Sequence, residues 1–360
     1  MVKAEKERIL LAVTLTAVCS TAARGYQINP LSDKYRAGHN VPAPLNNITD
    51  PVHEEITYAA ARCAASRIAS GPSQDITPCE VPAERVPLTP RGNKYDPLIR
   101  GLWWNDDPNQ NLFAFHYATW ALWMNDAHGI ATNKRNWLGR RSEISERYKI
   151  QYRSHYGDLQ FLHSMANADG DSAVEVQSRI LDWMEFAYTV AIGKVEPDTA
   201  MHDVNLALTR RFFARQPGWT VNHLFAPKYT LGKRTIRDVA LGSMLHVIQD
   251  SFSKAHVHRA FDGTSTCPSG RVVQFHSYGR QDPKRHGEAD TRQAWLADDR
   301  FTPELSPVEA SARMIRFARE RADWATAVLP YLRTTLFCLD SDAEPSGPGN
   351  YLADGEDGRD

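Results

Sequence analysis

The chain of 360 residues has no glycine-rich phosphate loop, no internal repeat and few alternating strand patterns. A nucleotide-cradling α/β domain and a repeat architecture are therefore poor starting points. Net charge is also nearly absent. Its 42 Lys and Arg stand against 43 Asp and Glu, leaving −1, so no overall field argues for nucleic acid or an acidic membrane as partner. A local basic patch remains compatible with that total. Cysteines number five and none is spaced Cys-x-x-Cys, which removes the usual zinc ribbon. The apolar run Ile9 to Val18 is ten residues long, too short to span a bilayer.

What is plentiful is aromatic and imidazole. There are nine Trp and thirteen His in a chain that is 42% hydrophobic and 24% charged. That balance is ordinary for a globular protein, and the length suffices for one large domain with a full core. At the start, Lys3, Lys6 and Arg8 precede the apolar run, and Ser20, Thr21, Ala22 and Ala23 follow it. This pattern predicts a signal peptide over residues 1–23 and a secreted or periplasmic protein. Thr-Ala-Val before Cys19 is a poor lipoprotein box, so no acyl anchor is expected. Cys63, Cys79, Cys267 and Cys338 remain, and in an exported protein they allow three disulfide pairings. Cys63–Cys79 is the favoured local bridge.

The spacing of apolar residues predicts a mostly α protein, one multi-helix domain over residues 24–339. Residues 26–47 and 71–98, rich in Pro, read as extended or loop. A helix should begin at Asp50 as N-cap with Pro51 in its first turn. Others are expected over Leu112–Asp126, Val174–Gly193, Val204–Ala214 and Thr235–Phe252, and from Glu309 to Leu329 before Pro330. Lys134 to Arg153 reads as a basic solvated face. The Gly263–Asp299 stretch is long for a connection and should line or cover a site. From Asp340 to residue 360 the chain is acidic and rich in Gly and Pro, and reads as disordered.

One stretch organises the rest: Leu241 to Arg259, LGSMLHVIQDSFSKAHVHR. His246 and Asp250 stand four apart and share a helix face, and His256 follows where the helix should end. His286 and Asp290 repeat the spacing. Imidazole and carboxylate suit Zn²⁺, at bonds of about 2.0–2.2 Å. The candidate ligands are His53, Asp106 or Asp107, His155, His246, Asp250, His256, His286 and Asp290. They outnumber the needs of one ion and predict a di- or trinuclear zinc site with Asp250 able to bridge. Asp106 is preferred because Asp107 precedes Pro108 and suits a turn. His163 is the alternative to His155, though on its apolar stretch a core histidine is favoured; His258 reads as a neighbour of the ligands, and His276 as having no role. Metals so placed acidify water and offset charge at phosphorus, which is phosphoester hydrolysis.

These residues resemble the zinc-dependent phospholipase C superfamily, which includes the single-strand-specific zinc nucleases. Its signature, His-x-x-x-Asp-x5-His followed by His-x-x-x-Asp or Glu, is matched by His246, Asp250, His256, His286 and Asp290. Trp104-Asn105-Asp106 is similar to its Trp-x-Asp segment, Ser154 to Asp158 to its nuclease His-aromatic-x-Asp segment, and His53 to its early helical His. The resemblance implies an all-α fold with three zinc ions. Asp106, His155, His246 and Asp250 would hold one; His256, His286 and Asp290 a second; His53 and Asp250 the third. Asp106 and Asp250 would be catalytic, and Tyr156 and Asp158 would contact substrate. The family's third ion also binds the amino group and carbonyl of an N-terminal Trp, and no Trp lies near the expected cleavage here. Residues around Tyr26 or the absence of that ion are the alternatives. The implied activity is a phospholipase C on phospholipid head groups, with peripheral membrane contact and no stable protein partner. A nuclease acting on single-stranded nucleic acid is the runner-up. A binding protein that kept the fold with incomplete metal loading is the third reading.

Overall fold

A computed structural model of the chain describes residues 26–31, 50–71, 79–81, 96–114, 116–131, 149–213, 218–227, 230–261, 267, 270–298, 300–301 and 306–352. The expected signal peptide, most of the Pro-rich 71–98 stretch and most of the basic run at 134–153 lie outside these residues.

The fold is mainly helical with one two-stranded sheet. In chain order the helices are α1 (Val52–Ser70), α2 (Pro97–Trp104), α3 (Tyr117–Ala131), α4 (Lys149–Tyr156), α5 (Ala173–Ala191), α6 (Val221–Phe225) and α7 (Lys233–Asp250). Strands β1 (Val257–Ala260) and β2 (Arg271–Phe275) follow, then α8 (Pro283–Ala289), α9 (Arg292–Leu296) and α10 (Pro307–Glu320). Helix α7 is the axis: every residue from Val239 to Asp250 is buried, so it is enclosed on all sides rather than along one stripe. It packs on α2, α5 and α10.

The crossing of α7 on α2 depends on two glycines. A Cβ on Gly101 would lie 1.9 Å from the Val239 carbonyl oxygen, and one on Gly242 would lie 2.0 Å from that of Leu98. Behind this crossing Trp104 stacks on Trp183 at 5.2 Å, beside Phe225 and Phe186. Burying each such ring stabilises the fold by roughly 2 kcal/mol. Asp96 caps α2 by accepting the Leu98 N–H at 2.8 Å, and Pro97 fills its first position. Asp282 and Pro283 start α8 in the same way.

Several sequence expectations need correction. Asp50 does not cap α1; its carboxylate accepts the Arg292 N–H at 3.1 Å, at the first turn of α9. Helix α3 begins at Tyr117 rather than Leu112, because the Asp107 carboxylate captures the Leu112 N–H in a turn. Within the described residues 204–213 the expected helix is short, covering 207–213 and widening at Thr209–Phe213, where the Thr209 hydroxyl donates to the Leu206 and Val204 carbonyls. Helix α7 stops at Asp250, six residues before His256. Helix α10 stops at Glu320, since Arg321 adopts a left-handed conformation (φ 52°), and Pro330 sits inside later helical turns.

The disordered tail is the largest correction. Residues 340–352 run alongside β2 and the loop beyond it. Asp340 N–H donates to Val272, Glu344 N–H to Val273, and the Gly347 carbonyl accepts from Ser277. A sheet edge accepts any backbone, so acidic, Gly- and Pro-containing sequence does not prevent the pairing. Residues 353–360 lie outside the described set. The expected Cys63–Cys79 bridge forms, with Cα atoms 5.7 Å apart, and Cys267–Cys338 ties the loop after β1 to the start of this tail. Two disulfides fit an extracellular protein. Among the described residues no helix is long and apolar enough to cross a membrane.

Candidate metal centre

The eight candidate ligands converge beneath the C-terminal end of α7, all buried, and His163 joins them. Four groups of three could each hold a metal ion: His53, Asp106 and His246; Asp106, His155 and His163; His163, His246 and Asp250; and His256, His286 and Asp290. Within each group the donor atoms lie within 4.8 Å of one another. The last group is the set expected from the sequence. Two of the other three include His163, and the remaining one sets His53 beside Asp106 and His246, so all three differ from the expected partition.

Each ligand is positioned from its own element. Asn105 pins the end of α2 by accepting from Ser243 Oγ and donating to the Leu162 carbonyl, both at 2.6 Å, which sets Asp106 against α7. His155 ends α4. His163 closes a single 3-10 turn (Gln160–His163), and Ser164 after it is left-handed and donates to Val247 O at 2.7 Å. His256 sits in the turn between α7 and β1. Helix α8 carries His286, with Asp290 as its C-cap, and Ser253 Oγ donates to Asp290 Oδ1 at 2.6 Å.

The orientation of the rings is the most informative feature. Nδ1 of His53 faces Gln249 Oε1 at 2.7 Å, His155 faces Gln151 O at 3.0 Å, and His246 faces Leu102 O at 2.8 Å. His256 Nδ1 faces His163 O and His286 Nδ1 faces Gln281 Oε1, each at 2.5 Å. A carbonyl oxygen only accepts, so each of these Nδ1 atoms carries the proton. In the neutral ring Nε2 then keeps a bare lone pair, and Nε2 of His53 and of His246 lies 3.2 and 3.0 Å from Asp250, that of His286 3.0 Å from Asp290. This is how metal-binding imidazoles are oriented. Asp106 Oδ1 and His163 Nε2 are buried with no hydrogen-bond partner among the described residues, as atoms aimed at a cation would be.

Electrostatics centre on Asp250. Burial alone would raise its carboxyl, yet the facing His246 and His256 hold it well below the usual carboxylate range. His246 and His256 are themselves lowered, chiefly by burial, which keeps them neutral. Burial also acts to lower His53, but the adjacent Asp250 prevails and its direction is up. A buried carboxylate surrounded by imidazole nitrogens is a donor set for a divalent cation.

The remaining candidates scatter. Asp107 turns away to hold Leu112 N–H. Tyr156 is half-buried, its ring 6.3 Å from that of His155. Asp158 points outward with a half-exposed side chain and pairs with Arg153 at 2.6 Å, so its carboxylate is committed elsewhere. His258 on β1 is exposed. His276 is buried, held by Ala255 O, and pushed down to about 4 by that burial. Sequence reasoning kept His163 only as the alternative to His155 and favoured a core role for it. Its neighbours Phe161 and Leu162 are indeed core, and only the tight turn separates it from their fate.

Tyr26 lies at the same centre. Its backbone N–H donates to Asp250 Oδ1 at 3.1 Å, and its ring stands edge-on to His53 at 6.0 Å. Gln27 continues the seam, donating to Asp290 O at 3.0 Å and accepting from His53 N–H at 3.2 Å. A scan against protein-family models found no match, and searches of curated proteins and of solved structures found none.

Proposed function

We propose that the chain is an exported zinc-dependent phosphodiester hydrolase of the phospholipase C type, acting on phospholipid head groups. The observation that carries this reading is the set of five imidazoles whose Nδ1 atoms are tied to carbonyl oxygens around buried Asp106, Asp250 and Asp290. Imidazole with carboxylate favours zinc over calcium or magnesium, which prefer all-oxygen shells. Asp106, His155, His163, His246, Asp250 and His53 would hold the upstream ions, and His256, His286 and Asp290 the downstream one. When bound, such ions acidify water and stabilise charge on a phosphoryl group. The protein's own contribution is to fix ring orientation through the carbonyls and to keep Asp250 ionised.

This reading moves the mature N-terminus from the expected Arg24 to Tyr26, whose backbone nitrogen lies against Asp250. A free amine there would take the place that the N-terminal Trp takes in the resembling family. Mass spectrometry of the exported protein should then show a chain beginning at Tyr26. A first residue beyond Tyr26, or an intact leader in active protein, would refute this part.

A nuclease is the second reading, favoured by the half-buried Tyr156 ring beside His155, a surface on which a base could stack. Metal analysis of purified protein should give two or three zinc per chain, and zero would sink both hydrolase readings in favour of a binding protein. With zinc present, parallel assays on phosphatidylcholine vesicles and on single-stranded DNA separate the two. Release of diacylglycerol without cleavage of DNA is the expected result.

A further inference from the structure

Tyr278 lies in the turn after β2 and is buried, clustered with Met165 and with its ring 6.4 Å from that of Tyr156. Its ring stands 5.1 Å from His286, 5.9 Å from His256 and 6.4 Å from His163. It therefore touches the downstream group and the upstream groups at once. Yet the hydroxyl has no hydrogen-bond partner among the described residues. Buried tyrosine hydroxyls nearly always have one, because leaving the group unpaired costs about 1–3 kcal/mol.

Two occupants would satisfy it: a metal or an oxygen-bearing ligand held between the metal groups. Each of the four groups already offers a metal three His or Asp donor atoms without the phenol. An oxyanion lying across both groups presents acceptor oxygens, and a phenol O–H only has to donate. We propose that Tyr278 is a substrate-contacting residue whose hydroxyl donates a hydrogen bond to a non-bridging oxygen of the phosphoryl group. This inference rests on the zinc hydrolase reading above and adds to it a contact from the protein side. The contact gains strength as charge grows on that oxygen, which is the condition for accelerating the reaction rather than only binding.

The test uses zinc-loaded full chain and Tyr278→Phe, a change that keeps the ring against Met165. Inorganic phosphate binding by calorimetry and turnover of bis-p-nitrophenyl phosphate are read together with zinc content. Hydrogen bonds to charged groups span about tenfold to a hundredfold in affinity. Tyr278→Phe should therefore keep the full zinc complement, bind phosphate at least about tenfold more weakly and lose a similar or larger factor in kcat. Unchanged phosphate affinity and unchanged kcat in the zinc-loaded variant would overturn this proposal and leave the hydrolase reading intact. Loss of one zinc would overturn it differently, by making the phenol a ligand. Wild-type protein that takes up no zinc would overturn the hydrolase reading first and this one with it.

Discussion

Asp250→Asn should strip at least one zinc from the purified protein and lower phosphodiester turnover at least about a hundredfold. No other side chain touches as much of the centre. Its oxygens lie 3.2 Å from His53 Nε2, 3.0 Å from His163 Nδ1 and His246 Nε2, 3.7 Å from His256 Nδ1 and 3.1 Å from the Tyr26 nitrogen. Asparagine keeps the shape but removes the charge and aims an NH₂ at rings whose free lone pairs a cation should take. Removing one partner of a buried charged set costs about 3–5 kcal/mol, which is two to four decades in an equilibrium or a rate. Zinc content by mass spectrometry and initial rates at saturating substrate are the readouts. Asp203→Asn is the control, because that carboxylate sits exposed beside His202. Full zinc and normal rates in Asp250→Asn would refute the centre as drawn.

The site was legible in the sequence where ligands share a helix face. His246 with Asp250, and His286 with Asp290, are separated by four residues, and regular helix or its first turn beyond converts that spacing into proximity. His256 was readable as well, although α7 ends before it, because a tight turn returns the chain to the same corner. His163 was readable only as the alternative to His155, since a single 3-10 turn has no periodicity long enough to separate a ligand from the core residues beside it. The tail fails for another reason. Composition reports what side chains can bury, whereas residues 340–352 are held through their backbones on β2 and the loop after it. Helix ends slipped where side chains competed for backbone groups, as Asp107 and Thr209 do. The chemistry of the centre was thus visible as residue types and spacing, and the carbonyls that orient each ring were visible only in three dimensions.

Gly242→Ala should destabilise the protein by roughly 3–5 kcal/mol, a large cost for one methyl group. The added carbon would lie 2.0 Å from Leu98 O, 2.7 Å from Leu102 N and 2.9 Å from Gly101 C, all of them backbone atoms that cannot rotate aside. The only relief is to move α2 away from α7. That motion also pulls on the metal centre, because the Leu102 carbonyl is the acceptor that fixes the His246 ring at 2.8 Å and Asn105 bridges the same two helices. Unfolding in urea should therefore show a lower midpoint with an unchanged slope, and zinc should leave the variant faster into a chelator. Gly287→Ala offers the contrast: it sits in α8, and a Cβ there meets nothing within 4 Å. Helix propensity alone then predicts a gain of up to about 1 kcal/mol. If Gly242→Ala unfolded at the wild-type midpoint, the close crossing of α2 on α7 would be wrong, and with it the placement of Asp106 beside His246.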